Sequence, residues 1–194
     1  MGLVQADEQT IDVPIPLGPA FPGPATTLPV PFISQAPYTN LCWAACCAMI
    51  DSALKLRYPE QFGNIPTRIE DVAGAVLSSD RCPSENGSGI DRTCWPDCAS
   101  QVLGYPCQDW PHPVSADYLA GELREGRRPV GVYIEWNDGD AHVLLVVGVD
   151  PTGTLFLIND PKSPSPHAVP WSALSSGNGA GRWVDTYLNW GYSL

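Results

Sequence analysis

Gln35-Ala36-Pro37-Tyr38-Thr39-Asn40-Leu41-Cys42-Trp43-Ala44-Ala45-Cys46-Cys47-Ala48-Met49 passes from a proline-containing loop into a helix, and it carries a cysteine across the boundary. Asn40 is a residue type suited to an N-cap, so the pattern predicts a helix from Leu41 to about Tyr58, where Pro59 ends it. Ala44, Ala45, Ala48, Met49, Ala53 and Leu56 make that helix apolar around much of its circumference, the signature of a buried helix. Cysteine attacks as the thiolate, and the positive end of a helix dipole favours that anion. Cys42 falls in the first turn, whereas Cys46 and Cys47 lie a turn deeper, where burial favours the neutral thiol. Position alone therefore ranks Cys42 first as a nucleophile.

Working outward, Thr67 with Glu70 three residues later reads as a capping box before a helix carrying Ile69, Val72, Ala73, Val76 and Leu77. Residues 79–113 are rich in Cys, Gly, Pro and Asp and read as loop, with a short helix around Asp97 to Leu103. Ser115 caps a further helix to about Glu125. After Pro129 the character changes: Val130–Trp136, His142–Val149, Thr154–Ile158 and Arg182–Trp190 read as strands, with a tight turn at Asp150–Gly153. Helices first and an antiparallel sheet afterwards define an α+β class. In front of this lies an arm with Pro14, Pro16, Pro19, Pro22, Pro24 and Pro29, expected to be extended and unable to form a central strand. The chain thus divides into a linker or strap at residues 1–29 and one domain at 30–194.

A 44% hydrophobic, 16% charged composition over 194 residues suits one globular domain with its own core. The longest apolar run, Val143 to Val149, is strand-sized against the roughly 20 residues a membrane helix needs, so no membrane span is expected. A net charge of -11 without clustered Lys and Arg argues against nucleic acid. The seven cysteines include no Cys-x-x-Cys pair, so structural zinc is not expected, and Cys94 with Cys98 is the nearest approach to a metal pair. The odd count predicts one reactive thiol and three disulfides, hence an oxidising destination. The first ten residues show no secretory leader, so for delivery outside the producing cell two expectations stand: the initiating Met replaces a leader, or export uses a machine that needs none.

Three stretches together resemble the papain-like cysteine peptidases: Gln35 followed by Cys42-Trp43-Ala44-Ala45, then Ala141-His142-Val143, then Ile158-Asn159-Asp160-Pro161. The likeness is to compact bacterial members, the bacteriocin-leader-processing peptidases and the papain-like effector proteases. It implies a papain-like fold, with a helical half bearing the cysteine packed on the C-terminal antiparallel sheet. It also implies hydrolysis of peptide bonds by Cys42, with His142 as base, Asp160 orienting the imidazole and Gln35 donating to an oxyanion hole. Gln35 sits seven residues before Cys42, one more than in papain itself. No cofactor follows from the resemblance. It implies a protein or peptide substrate and admits an inhibitor or immunity protein as a second partner, as for a toxin. Deamidation or transglutamination at the same site is the rival within enzymes, and a non-catalytic binding module the rival outside them.

Blander roles compete for each residue. Cys42 could be half of a disulfide, His142 could cap a buried strand, and Asp160 before Pro161 could be a turn former. Asn159 competes with Asp160 for the imidazole, but strand neighbours face opposite ways, so only one can reach it. His112 and His167 lie in proline-rich stretches and are expected in solvent, and Trp43, Trp136 and Trp190 read as core or cleft wall.

Overall fold

The structure is a computed structural model that describes residues 25–63, 65, 67–83 and 86–190. Among these the chain forms β1 (Thr26–Thr27), α1 (Cys42–Arg57), α2 (Pro59–Phe62), α3 (Ile69–Leu77), β2 (Gly87–Ser88) and β3 (Asp91–Arg92). There follow α4 (Pro96–Leu103), β4 (Gln108–Trp110), α5 (Ala116–Gly121), β5 (Val130–Trp136) and β6 (Ala141–Val149). Last come β7 (Leu155–Asn159), β8 (His167–Pro170), α6 (Trp171–Ser175) and β9 (Gly181–Leu188). All pairings in the main sheet are antiparallel, in the order β4-β9-β5-β6-β7-β8, with β1 joining the end of β6. The class is α+β, as the sequence pattern predicts.

Helix α1 is the hub. Trp43 through Ile50 are all buried, and the helix packs on β6, α3 and α4. Its weak amphipathicity in sequence reflects this enclosure, because an apolar surface all round has to be covered from several sides. Pro59 ends α1 after Arg57 and immediately opens α2, where its missing N–H costs nothing.

The caps differ from expectation. Leu41, not Asn40, is the N-cap of α1, and no side chain caps it. Likewise α3 starts behind Arg68 without a side-chain cap. The Thr67 hydroxyl instead bonds Asp51, and its N–H reaches the Ser52 hydroxyl at 3.1 Å. Tertiary partners on α1 thus replace the local capping box. Ser115 does cap α5, accepting from the Tyr118 N–H at 3.2 Å.

Strands β4 and β8 occupy segments read as loop, because each is short and is held by a neighbour distant in sequence: β4 by β9, β8 by β7. His167 is corrected with them, being 6% exposed within β8 rather than solvated. The three expected disulfides reduce to one, Cys82–Cys98, with a Cα–Cα separation of 5.8 Å. Cys42, Cys46, Cys47, Cys94 and Cys107 are free. Cys46 and Cys47 are fully buried in the apolar surroundings of α1, where a free thiol behaves as a small hydrophobe and needs no disulfide.

The proline-rich arm falls mostly outside the described residues. Its final residues are strapped to the domain: Thr26 and Thr27 pair with Val149 and Gly148, and Leu28 is buried with its N–H on the Val147 carbonyl. No helix among the described residues is long and apolar enough to cross a membrane.

Candidate active site

Cys42 is the first residue of α1, so its backbone N–H lies among those that find no acceptor within the helix. The approach to it is clamped from two sides. On one, the Gln35 N–H and the Ser34 hydroxyl both donate to the Pro161 carbonyl, at 3.0 and 3.3 Å. On the other, the Asp91 carboxylate accepts from the Thr39 N–H, the Thr39 hydroxyl and the Asn40 N–H at 3.2, 2.8 and 2.7 Å. The indole of Trp43 donates to the Arg92 carbonyl at 2.8 Å. Partial burial raises the Asp91 carboxyl, but these donors outweigh it and hold it below its usual value.

The β2–β3 hairpin therefore fixes where α1 begins, a role that no sequence motif announced. Replacing Asp91 with Ala removes three hydrogen bonds to an ionised acceptor, each typically contributing about 1 kcal/mol or more. Asp91→Ala is expected to slow alkylation of Cys42 about tenfold and to lower the thermal midpoint. Alkylation at the wild-type rate would show that the hairpin is dispensable.

His142 and Asp160 come together through sheet register. Strand β6 starts beside the N-terminus of α1, and β7 runs antiparallel to it with Asn159 opposite Leu145. The chain leaving β7 therefore heads toward His142. The imidazole Nε2–H donates to Asp160 Oδ1 at 2.6 Å, and both residues are at most 2% exposed. Asp160 Oδ1 also accepts from the Lys162 N–H at 2.9 Å, and Oδ2 accepts from the Ser163 hydroxyl at 3.3 Å. Asn159 turns the other way, its amide donating to the Val30 carbonyl at 3.3 Å. The second imidazole nitrogen, Nδ1, is buried and has no partner on the backbone, and the Cys42 thiol is the other ionisable group that interacts with the ring.

Electrostatics favours an ion pair here. Burial pushes the Cys42 thiol up, but the hydrogen bond and charge of His142, the Val143 N–H and Lys162 together bring it below its ordinary value. Burial pushes His142 down, yet the Asp160 carboxylate and then Cys42 raise it to about 9. Burial opposes ionisation of Asp160 as well, and the His142 charge reverses it, holding the carboxyl low. A low thiol beside a high imidazole is the condition for thiolate and imidazolium to coexist near neutrality.

Gln35 is placed differently from the role the resemblance implies. It is 3% exposed, and its amide donates to the Tyr38 and Thr39 carbonyls at 3.1 and 2.9 Å, leaving Oε1 buried without a partner. In this arrangement the amide braces the loop before α1. The Cys42 N–H remains as the donor available to an oxyanion.

Cys42 opens into a cleft of about 380 Å³ lined also by Asn40, Trp95, Tyr133, Asp140 and Lys162. Tyr133, Trp95 and Lys162 went unnoticed in the sequence, since nothing in their spacing reports that they converge. Cys94 borders the same cleft, but burial pushes its thiol to about 11, and that of Cys107 to about 12. Cys46 and Cys47 are buried, with thiols raised well above the ordinary value by burial. Iodoacetamide on the native protein at pH 7 is expected to modify Cys42 first, at least ~10-fold faster than Cys94 or Cys107 because only the thiolate reacts. Cys46 and Cys47 should react only after unfolding. Peptide mapping checks this order, and faster labelling of Cys94 would overturn it.

Among the described residues no three His, Cys, Asp or Glu converge closely enough to hold a metal ion. No protein-family model matches the chain, and no curated protein does. The chemistry therefore rests on the geometry of Cys42, His142 and Asp160.

Proposed function

We propose that this chain is a thiol-dependent acyl-transfer enzyme of papain-like architecture, acting as a cysteine peptidase. The observation that carries the reading is one arrangement: a half-buried cysteine at a helix N-terminus, beside a buried imidazole whose far nitrogen donates to a buried carboxylate at 2.6 Å. In this mechanism His142 takes the proton of Cys42, and the thiolate adds to the carbonyl carbon of an amide. The oxyanion that forms is met by the Cys42 N–H and the helix dipole. The imidazolium then gives its proton to the departing amine as the C–N bond breaks, leaving a thioester. Water, deprotonated by the same imidazole, cleaves the thioester and returns the thiol.

Asp160 keeps the imidazole in the tautomer and orientation that this sequence requires. Two further features support the papain-like assignment: the order Cys42, His142, Asp160 along the chain, and the packing of the Cys42 helix against the sheet that carries the other two. The test is incubation with a denatured protein mixture and with glutamine-containing peptides, followed by product mass. New termini that require Cys42 support a peptidase. Deamidated or cross-linked glutamine without cleavage would assign the same site to a different acyl transfer. Neither product, with Cys42 unreactive, would leave a binding scaffold.

A further inference from the structure

One wall of the cleft continues away from Cys42 across the sheet. Tyr133 on β5 pairs with Asp185 on β9, and Tyr187 on β9 pairs with Gly131 on β5 and Asp109 on β4. Paired residues share a face, so Tyr133, Asp185, Tyr187 and Asp109 line one side of the sheet. Asp97, in the first turn of α4, lies within electrostatic reach of Asp109 and Asp185. No Lys or Arg among the described residues forms an ion pair with any of these three carboxylates.

Two independent features mark this as a place for a ligand. Tyr187 shares its sheet face with Asp109 and Asp185 and lies within electrostatic reach of all three carboxylates; it has 0% exposure, and its hydroxyl has no hydrogen-bond partner. Trp95 is 46% exposed, a large aromatic surface left open at the cleft, and it packs on Tyr133 with ring centroids 5.2 Å apart. An exposed indole backed by a phenol ring is a platform for a flat or cationic group. The carboxylates supply negative charge and the stacked Trp95 and Tyr133 rings an aromatic face, so the fitting partner is an extended organic cation. Burial raises both Asp109 and Asp185, with added repulsion from Asp185 and Asp97 on the first and from Glu135 and Asp97 on the second, a cost that an incoming positive charge relieves.

We propose that Trp95, Tyr133 and the carboxylates of Asp97, Asp109 and Asp185 form a subsite that seats a lysine or arginine side chain of the substrate. This rests on the acyl-transfer reading of Cys42. Strands lie about 4.8 Å apart, so Asp185 on β9 is about 10 Å from the strand of His142, or about three residues along an extended peptide.

The experiment is a positional scan of internally quenched peptides carrying Arg, Lys, Leu or Glu at each position. Wild type is compared with Asp109→Asn/Asp185→Asn, and with Glu60→Gln/Glu125→Gln, which removes the same net charge at exposed sites elsewhere. Arg or Lys at one position should raise kcat/KM about tenfold over Leu, the size of one exposed cation–π contact plus ion pairs. That ratio should fall to near unity in the first double variant and stay unchanged in the second. Equal rates for Arg and Leu throughout, or a ratio indifferent to Asp109 and Asp185, would overturn the subsite. A second arm measures anisotropy of a labelled alternating alanine–arginine heptapeptide and its alanine–leucine counterpart on Cys42→Ala protein. Tighter binding of the arginine peptide that is lost in the added Asp109→Asn/Asp185→Asn changes supports the subsite even if no peptide is cut. If Cys42 is also unreactive, the acyl-transfer reading fails while the subsite is still decided by binding.

Discussion

Cys42→Ala is expected to abolish amide cleavage, with a loss of about 10⁴-fold or more, as for removal of a covalent nucleophile from a cooperating set. No other thiol can substitute. Cys46 is one turn further along α1, fully buried, with its thiol directed at the Val143 carbonyl at 3.5 Å and pushed well up by burial. Cys94 shares the cleft but lacks an imidazole partner, and burial keeps it protonated to about pH 11. The substitution removes a half-buried sulfur at a helix start, so folding should survive, and an unchanged circular dichroism spectrum with lost turnover is the expected pair of readouts. Full activity in Cys42→Ala would sink the proposed function outright.

Asp160→Ala carries the second largest effect. His142 then keeps its buried place with no carboxylate on Nε2, and with only Cys42 left to oppose burial its pKa falls from about 9. Less imidazolium means less thiolate, and kcat/KM should fall about 10²- to 10⁴-fold. The pH profile distinguishes this from a merely loosened structure. In wild type the ion pair is present above the lowered pKa of Cys42 and is lost as pH rises through about 9, where His142 deprotonates. In Asp160→Ala the alkaline limb should move down by more than one pH unit. Asp160→Asn keeps an acceptor oxygen for Nε2–H without the charge, so it should recover part of the rate with the limb still displaced. An alkaline limb unmoved in both variants would show that Asp160 does not set the His142 pKa.

The same shifts predict stability against pH. The raised His142 contributes stability that is complete below its ordinary 6.5 and disappears as pH climbs through about 9. The lowered Asp160 contributes above its ordinary 3.8 and disappears as pH falls through its depressed folded value. Thermal midpoints should therefore be highest between these limits, and the decline above pH 7 should vanish in Asp160→Ala.

What could be read in advance follows from the range of the forces involved. Helix α1, its termination at Pro59, the Ser115 cap and four sheet strands were legible because periodicity, proline and local hydrogen bonding act within a few residues. Cys42 stood out because its advantage is also local, one position at a helix start. Strand alternation lets only one of Asn159 and Asp160 reach the imidazole and the resemblance favours Asp160; the structure places Asp160 on the imidazole and Asn159 on Val30. The caps of α1 and α3, the buried state of His167 and the number of disulfides were not legible. Each depends on a neighbour far along the chain: Asp91 for the entry to α1, Asp51 and Ser52 for Thr67, β7 for β8.

Local pattern along the chain establishes the α+β class, the place of Cys42 at the start of a buried helix, and the candidates for its neighbours. Long-range packing is what brings Nε2 of His142 to Asp160 at 2.6 Å and turns the Gln35 amide onto its own loop. It also sets Trp95 against Tyr133 and puts Tyr133, Asp185 and Asp109 on one face of the sheet. The physical reason is that secondary structure is chosen by short-range sterics and hydrogen bonds. Charge pairing and pKa depend instead on distance and burial, which exist only once strands β4, β9, β5 and β6 have been laid side by side.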